Sequence, residues 1–216
     1  NMPKSRAGRD EAIGQRPRLQ QDTAELTQRR DRARSGQIAL EDRTVHLIAA
    51  LEREGMRPRA LCQAAEIVDD AWRDAAEALL ARDREAIIVG PEHASRAVEI
   101  LRTSRDSNRG CRIVNTRRLA DQKQNAQAGT LASVFASDDA LAMAFIVFRT
   151  GNIRLAETQA ELLEGGRAIM RDGAYNSGII VEVLRAQDLK IGRAAGPRME
   201  TELGRQIDEQ RSWLAQ

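Results

Sequence analysis

EAIIVGPEHASRAVEIL, residues 85–101, is the stretch on which the reading of the whole chain turns. Its apolar run from Ala86 to Val89 is too short for a helix and has the length of a buried strand. Gly90 interrupts that run, and Pro91 suits the first position of a helix because its ring presets φ. Ala94, Ala97, Val98 and Leu101 then recur at three- and four-residue spacing, so the helix buries one face. Strand, tight loop and helix in this order belong to an α/β domain. The loop at residues 90–93 is where such domains often hold a phosphate or a catalytic carboxylate.

Working outward, residues 111–114 predict a second strand. Upstream, Asp69 and Asp70 are helix caps before a face built from Trp72, Ala75, Ala76, Leu79 and Leu80. Downstream, residues 128–135 and 138–148 read as helices, the second burying Leu141, Ala142, Phe145 and Ile146. A strand at 152–155 and a short helix at 158–163 follow. Residues 167–171, Asp172-Gly173 and a second run reaching Leu184 predict a β-hairpin, Asp-Gly suiting a type I′ turn. Residues 59–195 are thus expected to form one mixed α/β globular domain.

Both flanks carry a different period. Leu19, Leu26, Ala33, Leu40 and Leu47 recur every seven residues, with Ile38, Val45 and Leu51 as a partial second stripe. That pattern on a charged helix predicts a coiled-coil arm over residues 19–55, ended by Gly55 and Pro58. The other seam position holds Thr23, Arg30, Gln37 and Thr44. Gly196-Pro197 opens a second arm, 197–216, with Met199, Leu203, Ile207 and Leu214. The two arms are expected to pair antiparallel. Residues 1–18 read as irregular, and Asn1 before Met2 suggests a cloning scar on an excised piece of a longer protein.

Composition narrows the function classes. Basic and acidic residues nearly balance, 34 against 32, and aromatics are 3%. No apolar run reaches the ~18 residues of a membrane span, so a cytoplasmic protein is expected. Cys62, Cys111, His46 and His93 have no zinc-site spacing. No Gly-Lys pair exists, which excludes a P-loop within the chain. A Mg²⁺ phosphoryl-transfer site would want acids after both strands. Glu92 follows the first at a distance, whereas residues 115–118 hold none, and Asp138-Asp139 reads as a helix cap. His93 beside Ser95 lacks an orienting third group. No catalytic residue, metal or cofactor is therefore expected. One charge cluster stands out: between residues 96 and 118 lie seven arginines and only two acids, Glu99 and Asp106. Arg102, Arg105, Arg109, Arg112, Arg117 and Arg118 are the expected contacts to duplex DNA phosphates. No aromatics interleave for base stacking.

An arm, an α/β knob and a second arm are also the layout of the hinge of SMC-like proteins, and particular phrases strengthen the likeness. EIVDDAWRDAAEALLARDREAIIVGPEHASRAVEIL, residues 66–101, resembles the first half of such hinges, with Ala81 where the usual glycine stands. CRIVNT at 111–116 looks like the second strand. Residues 129–178, from GTLAS through MRDG to NSG, resemble the second half. IVNT and GTLAS look closest to the condensin-like subunit of Wadjet-type anti-plasmid systems and its MukB and MksB relatives. The resemblance implies a homodimer, with Ile169, Met170, Gly173, Tyr175 and Gly178 of the hairpin at its interface. It also implies nucleoid association, accessory subunits, and an ATP-driven complex that entraps or extrudes DNA, hydrolysing ATP in head domains elsewhere. The alternatives are a metal-dependent nuclease or phosphoesterase with a degenerate Toprim-like core, and a stand-alone coiled-coil DNA-binding regulator.

Overall fold

The computed structural model describes residues 23–24, 27, 40–119, 125–186, 189–192 and 195–214. The chain divides into two compact units: Leu40–Arg193, and a second made of Asn1–Ala39 with Ala194–Gln216.

In the first unit, helix α1 (Asp42–Arg53) places an acid in its first turn and a base in its last, matching the helix dipole. Thr44, Leu47 and Leu51 fall on one buried stripe. Gly55, at φ +78°, closes the helix. Its N–H reaches Glu52 O and that of Met56 reaches Leu51 O, and Met56 packs in the same cluster as Leu51. That double bond with its apolar contact is a Schellman cap. The heptad pattern had assigned these residues to an arm. Instead Leu47 and Leu51 join Ile87, Val89 and Ala97 in the globular core. A seven-residue repeat marks a buried stripe, and here that stripe faces a sheet and a helix.

Strand β1 (Arg59–Ala60) leads through the single turn α2 (Leu61–Ala64) to β2 (Glu66–Ile67). Asp69 accepts from Ala71 N and caps a 3₁₀ turn, after which helix α3 (Arg73–Leu80) buries Ala75, Ala76 and Leu80. The 3₁₀ stretch Ala81–Glu85 then delivers the decisive segment. Strand β3 (Ile87–Ile88) pairs antiparallel with β1, and Ile87 bridges Ile113 in parallel. Residues 86–89 are all buried. Pro91–His93 forms a 3₁₀ turn that runs into helix α4 (Ala94–Thr103), as read. The expected strand at 111–114 reduces to that one bridge.

Residues 128–135 do not form the expected helix. Leu131–Val134 is a 3₁₀ turn, followed by β4 (Phe135–Ala136), which pairs with β2. The Thr130 and Ser133 hydroxyls donate to nearby carbonyls, and Leu131 N donates to Ile153 O, so local and cross-chain bonds outcompete helix. Helix α5 (Ala140–Thr150) is capped by Asp139, whose Oδ1 accepts from Leu141 N and Ala142 N. β5 (Arg154–Leu155), helix α6 (Gln159–Leu163, capped by Thr158), β6 (Ala168–Ile169), β7 (Ala174–Asn176) and β8 (Val181–Val183) follow. They give a four-stranded sheet in the order β5-β6-β7-β8, parallel between the first two and antiparallel after.

The turn between β6 and β7 is not type I′, for among its residues only Gly173 has positive φ, +88°. Gly173 N donates to Met170 O, and Asp172 Oδ1 accepts from Ala174 N. That is a type I turn closed by a left-handed glycine. A side chain at Gly173 would press within 2.2 Å of Leu184 O. The second run, expected as one strand, folds back on itself at residues 177–180 to make β7 and β8.

The second unit contains helix α7 (Ala195–Leu214). Leu203 and Ile207, four apart, are buried. Thr23 Oγ1 donates to Gln210 Oε1 at 2.9 Å, tying the incoming segment to this helix. Leu19, Leu26 and Ala33 of the heptad lie outside the described residues.

Candidate dimer edge and basic cleft

β8 is the outer strand of its sheet and is exposed throughout. Gly173–Leu184 and Ser177–Ile180 are joined by backbone bonds across the β7–β8 pair. Antiparallel ladders alternate, so Val181 and Val183 turn their N–H and C=O outward. Apart from exposed Glu182, the large side chains around this open edge are apolar: Ile179 is 96% exposed, Ile180 65%, Val181 48% and Val183 64%. Buried Asn176 shapes the tip. Its amide donates to Leu162 O, and its oxygen accepts from Gly178 N. The strand is three residues long and carries exposed Glu182 between its two valines, and its unpaired backbone groups are a template for another strand.

Of the five hairpin residues expected at an interface, the structure exposes Gly178 and half-buries Met170. Ile169, Gly173 and Tyr175 are interior. Tyr175 is held there by Arg167, whose Nε and Nη2 donate to its hydroxyl at 2.8 and 2.6 Å. The outward-facing residues are Ile179, Ile180, Val181 and Val183. Their signal in the sequence was a run of β-branched residues with little polar alternation at the hairpin's end.

The six expected DNA contacts are all exposed. Arg102, Arg105, Arg109 and Arg118 make no side-chain hydrogen bond or ion pair with other described residues. Arg112 and Arg149 pair with buried Asp83, and Arg117 Nε donates to Pro91 O. Asn108 caps α4 by donating to the Ile100 and Leu101 carbonyls, which sets the turn carrying Arg105 and Arg109. Arg109 and Arg112 also line a cleft of about 730 Å³, with Arg43, Arg82, Arg84, Arg185 and Lys190. Those five lie up to 147 positions apart in the chain, from Arg43 to Lys190, and no local pattern announces their meeting.

The floor of this cleft is a buried carboxylate network. Glu77, fully buried, accepts from Lys190 N at 2.8 Å, Ile191 N at 2.7 Å and Arg84 Nη1 at 3.0 Å. Glu85 accepts from Glu41 N at 3.0 Å, Thr44 Oγ1 at 2.7 Å and the Lys190 ammonium. Buried Arg73 donates to Ile191 O, Ile67 O and Asp70. The first and last segments of the unit are thus fastened to the same stretch, 73–85.

The loop at 90–93 is a corner. Glu92 is exposed, with its carboxylate 3.5 Å from His93 Nε2. Asp139 is engaged by its cap bonds and by Arg59 at 2.6 Å. Among the described residues no group of three His, Cys, Asp or Glu side chains could hold a metal ion. Nor is any described helix long and apolar enough to cross a membrane. Burial, with help from Glu85, pushes the Cys62 thiol up to about 12, and burial also raises Cys111. Thiolate is the reacting form. A thiol-disulfide dye at pH 8 should therefore label half-buried Cys111 and leave Cys62 untouched until the chain is unfolded. Two equally fast labels in the native protein would contradict this burial.

No protein-family profile matches the chain, and no curated protein matches it in sequence. Its fold, however, is shared with solved hinge domains of SMC proteins. An asymmetric dimer of the Geobacillus stearothermophilus SMC hinge domain aligns over 100% of this chain and 94% of its own, at TM-score 0.53 and 16% identity. The Pyrococcus furiosus Smc hinge domain with an extended coiled coil aligns over 97% and 80%, at 0.51 and 15%. The S. pombe Smc5/6 hinge domain aligns over 83% and 78%, at 0.54 and 15%. The mixed α/β unit has the SMC hinge fold.

Proposed function

We propose that this chain is the homodimerising hinge of a bacterial SMC-like ATPase complex that entraps or extrudes DNA. The observation that carries the reading is the open apolar edge at β8 on a unit of hinge fold. A second copy offers the same edge, and antiparallel strand addition about a twofold axis satisfies both sets of outward backbone groups. The likeness to the Geobacillus hinge, solved as a dimer, supports it. IVNT and GTLAS favour the Wadjet-type and MukB–MksB group within that class. Its setting would be the cytoplasm, at the nucleoid, with accessory subunits. Its role is mechanical, and ATP hydrolysis falls to head domains. Light scattering on the 216-residue chain at tens of micromolar should give twice 23.9 kDa. A mass of 23.9 kDa there would refute it.

The hinge would also touch duplex DNA weakly and without sequence preference, through Arg102, Arg105 and Arg118. These guanidinium groups are exposed and make no hydrogen bond or ion pair with other described residues, so they are available to phosphate oxygens. Changing the three together to Glu should weaken binding to a short labelled duplex at least tenfold at low salt, with the dimer intact. The parent's log–log salt slope should be roughly −0.9 per phosphate neutralised. Unchanged anisotropy curves would remove these residues from any DNA surface.

A further inference from the structure

We infer that the cleft over the Glu77–Glu85 floor is a binding site for a compact polyphosphate. Seven cations line it, Arg43, Arg82, Arg84, Arg109, Arg112, Arg185 and Lys190, against Glu41, Glu77 and Glu85. The charges do not cancel locally. Glu77 is engaged by Arg84 and two backbone N–H groups, and Glu85 by Lys190, Thr44 and Glu41 N. Arg112 is paired with Asp83, outside the lining. What is left facing the space is Arg82, Arg109 and Arg185, with no side-chain partner among the described residues. Arg43 joins them, bonded only to a carbonyl, Arg109 O at 2.7 Å. Four guanidinium groups against one remaining carboxylate of the lining, that of Glu41, leave a demand for anion, and planar forks match phosphate oxygens two at a time.

Shape and lining narrow the ligand. A volume of about 730 Å³ is that of a small-molecule site. The phosphates of a duplex lie on a convex cylinder about 20 Å across, which a concavity of this size does not admit. Among the described residues the apolar lining is Ala78, Ala81, Cys111 and Ala186, with no aromatic ring to stack a nucleobase. Recognition is therefore of the phosphate chain itself, about two or three linked phosphoryl groups for four arginines. Arg43 sits at the start of the unit and Arg185 near its end. A bound polyphosphate would add an ionic link between these two segments, beside the Glu85 bonds. This assignment goes beyond the hinge proposal and does not depend on it.

The test is calorimetric titration of the whole chain with sodium tripolyphosphate at low salt, matched against sodium sulfate at equal ionic strength. One saturable site per chain is expected for tripolyphosphate, with sulfate at least tenfold weaker. A variant carrying Arg82→Gln, Arg109→Gln and Arg185→Gln should lose affinity at least tenfold, with unchanged circular dichroism. The single Arg185→Gln should give an intermediate loss. No heat at low salt, or equal binding by parent and triple variant, overturns the site. Equal affinities for sulfate and tripolyphosphate overturn the polyphosphate assignment. A short duplex that displaces tripolyphosphate and is lost equally in the triple variant would assign the cleft to nucleic acid and overturn the small-ligand reading.

Discussion

Ile180→Asp combined with Val183→Asp should convert the dimer to a monomer, with far-UV circular dichroism unchanged. Both side chains are mostly exposed in the single chain, so the substitutions cost the monomer little. In a dimer joined at β8 they would place two charges per copy against their symmetry mates. Residues at the centre of an interface cost about 2–4 kcal/mol each when lost, and burying an unpaired carboxylate adds to that. The dissociation constant should rise by at least about a thousandfold. Val183→Pro tests the backbone separately. Val183 turns its N–H outward, so proline removes a donor to the partner and none from the β7–β8 pair. Its dimer should weaken while its monomer stays folded. If both variants remain dimers at low micromolar concentration by sedimentation, the interface lies elsewhere.

Glu77→Ala should be the most damaging single truncation in the globular unit. The substitution strands two backbone donors, Lys190 N and Ile191 N, and leaves mostly buried Arg84 without its carboxylate. Breaking a buried pair from one side typically costs about 3–5 kcal/mol. For a unit of this size that is a fall in Tm of roughly 6–20 °C. Glu77→Gln keeps one acceptor and the shape, and should lose less. Thermal unfolding followed by far-UV circular dichroism measures both, and a shift for Glu77→Ala below about 2 °C would show that the network contributes little.

The parts of this architecture visible in the sequence were those written in local periodicity and punctuation. Residues 86–101 fold as read because the strand, Gly90, Pro91 and the helical face are consecutive signals. Asp139 and Thr158 cap their helices where capping chemistry places them. The errors came where distant partners decide. Leu47 continues a perfect heptad, yet a heptad does not say what lies opposite, and the core at Ile87 and Val89 took it. Asp-Gly favours type I′ in isolation, but here Gly173 N closes the turn on Met170 O and Gly173 alone of the turn residues has positive φ. Residues 128–135 read as helix, and pairing of Phe135 with Ile67 together with the bond from Leu131 N to Ile153 O overrode that reading.

The candidate surfaces divide the same way. The run of arginines after residue 96 was visible because it is contiguous. The cleft was not, since Arg43, Arg82 and Arg185 converge only once the first and last segments of the unit are folded onto residues 73–85. The hairpin was found, but Ile169 and Tyr175, which read as interface residues, are buried in the single chain beneath Arg167 and the sheet.

The bonds from Arg73, Glu77 and Glu85 to residues 190 and 191 also set an order of events at birth. They span 118, 114 and 105 positions at their longest reach. A chain emerging from the ribosome can form α1, the β1–β3 pair and α4 early, since these are near one another in sequence. It cannot engage the Glu77 carboxylate until residue 191 has left the exit tunnel. Until then the unit carries together a buried acid held only by nearby Arg84 and an open β8 edge, the form in which neighbouring nascent chains are most prone to associate wrongly. Closure from the C-terminal side is the slow, long-range step. A ribosome pausing before residue 190 would prolong the vulnerable interval, and one pausing after it would not.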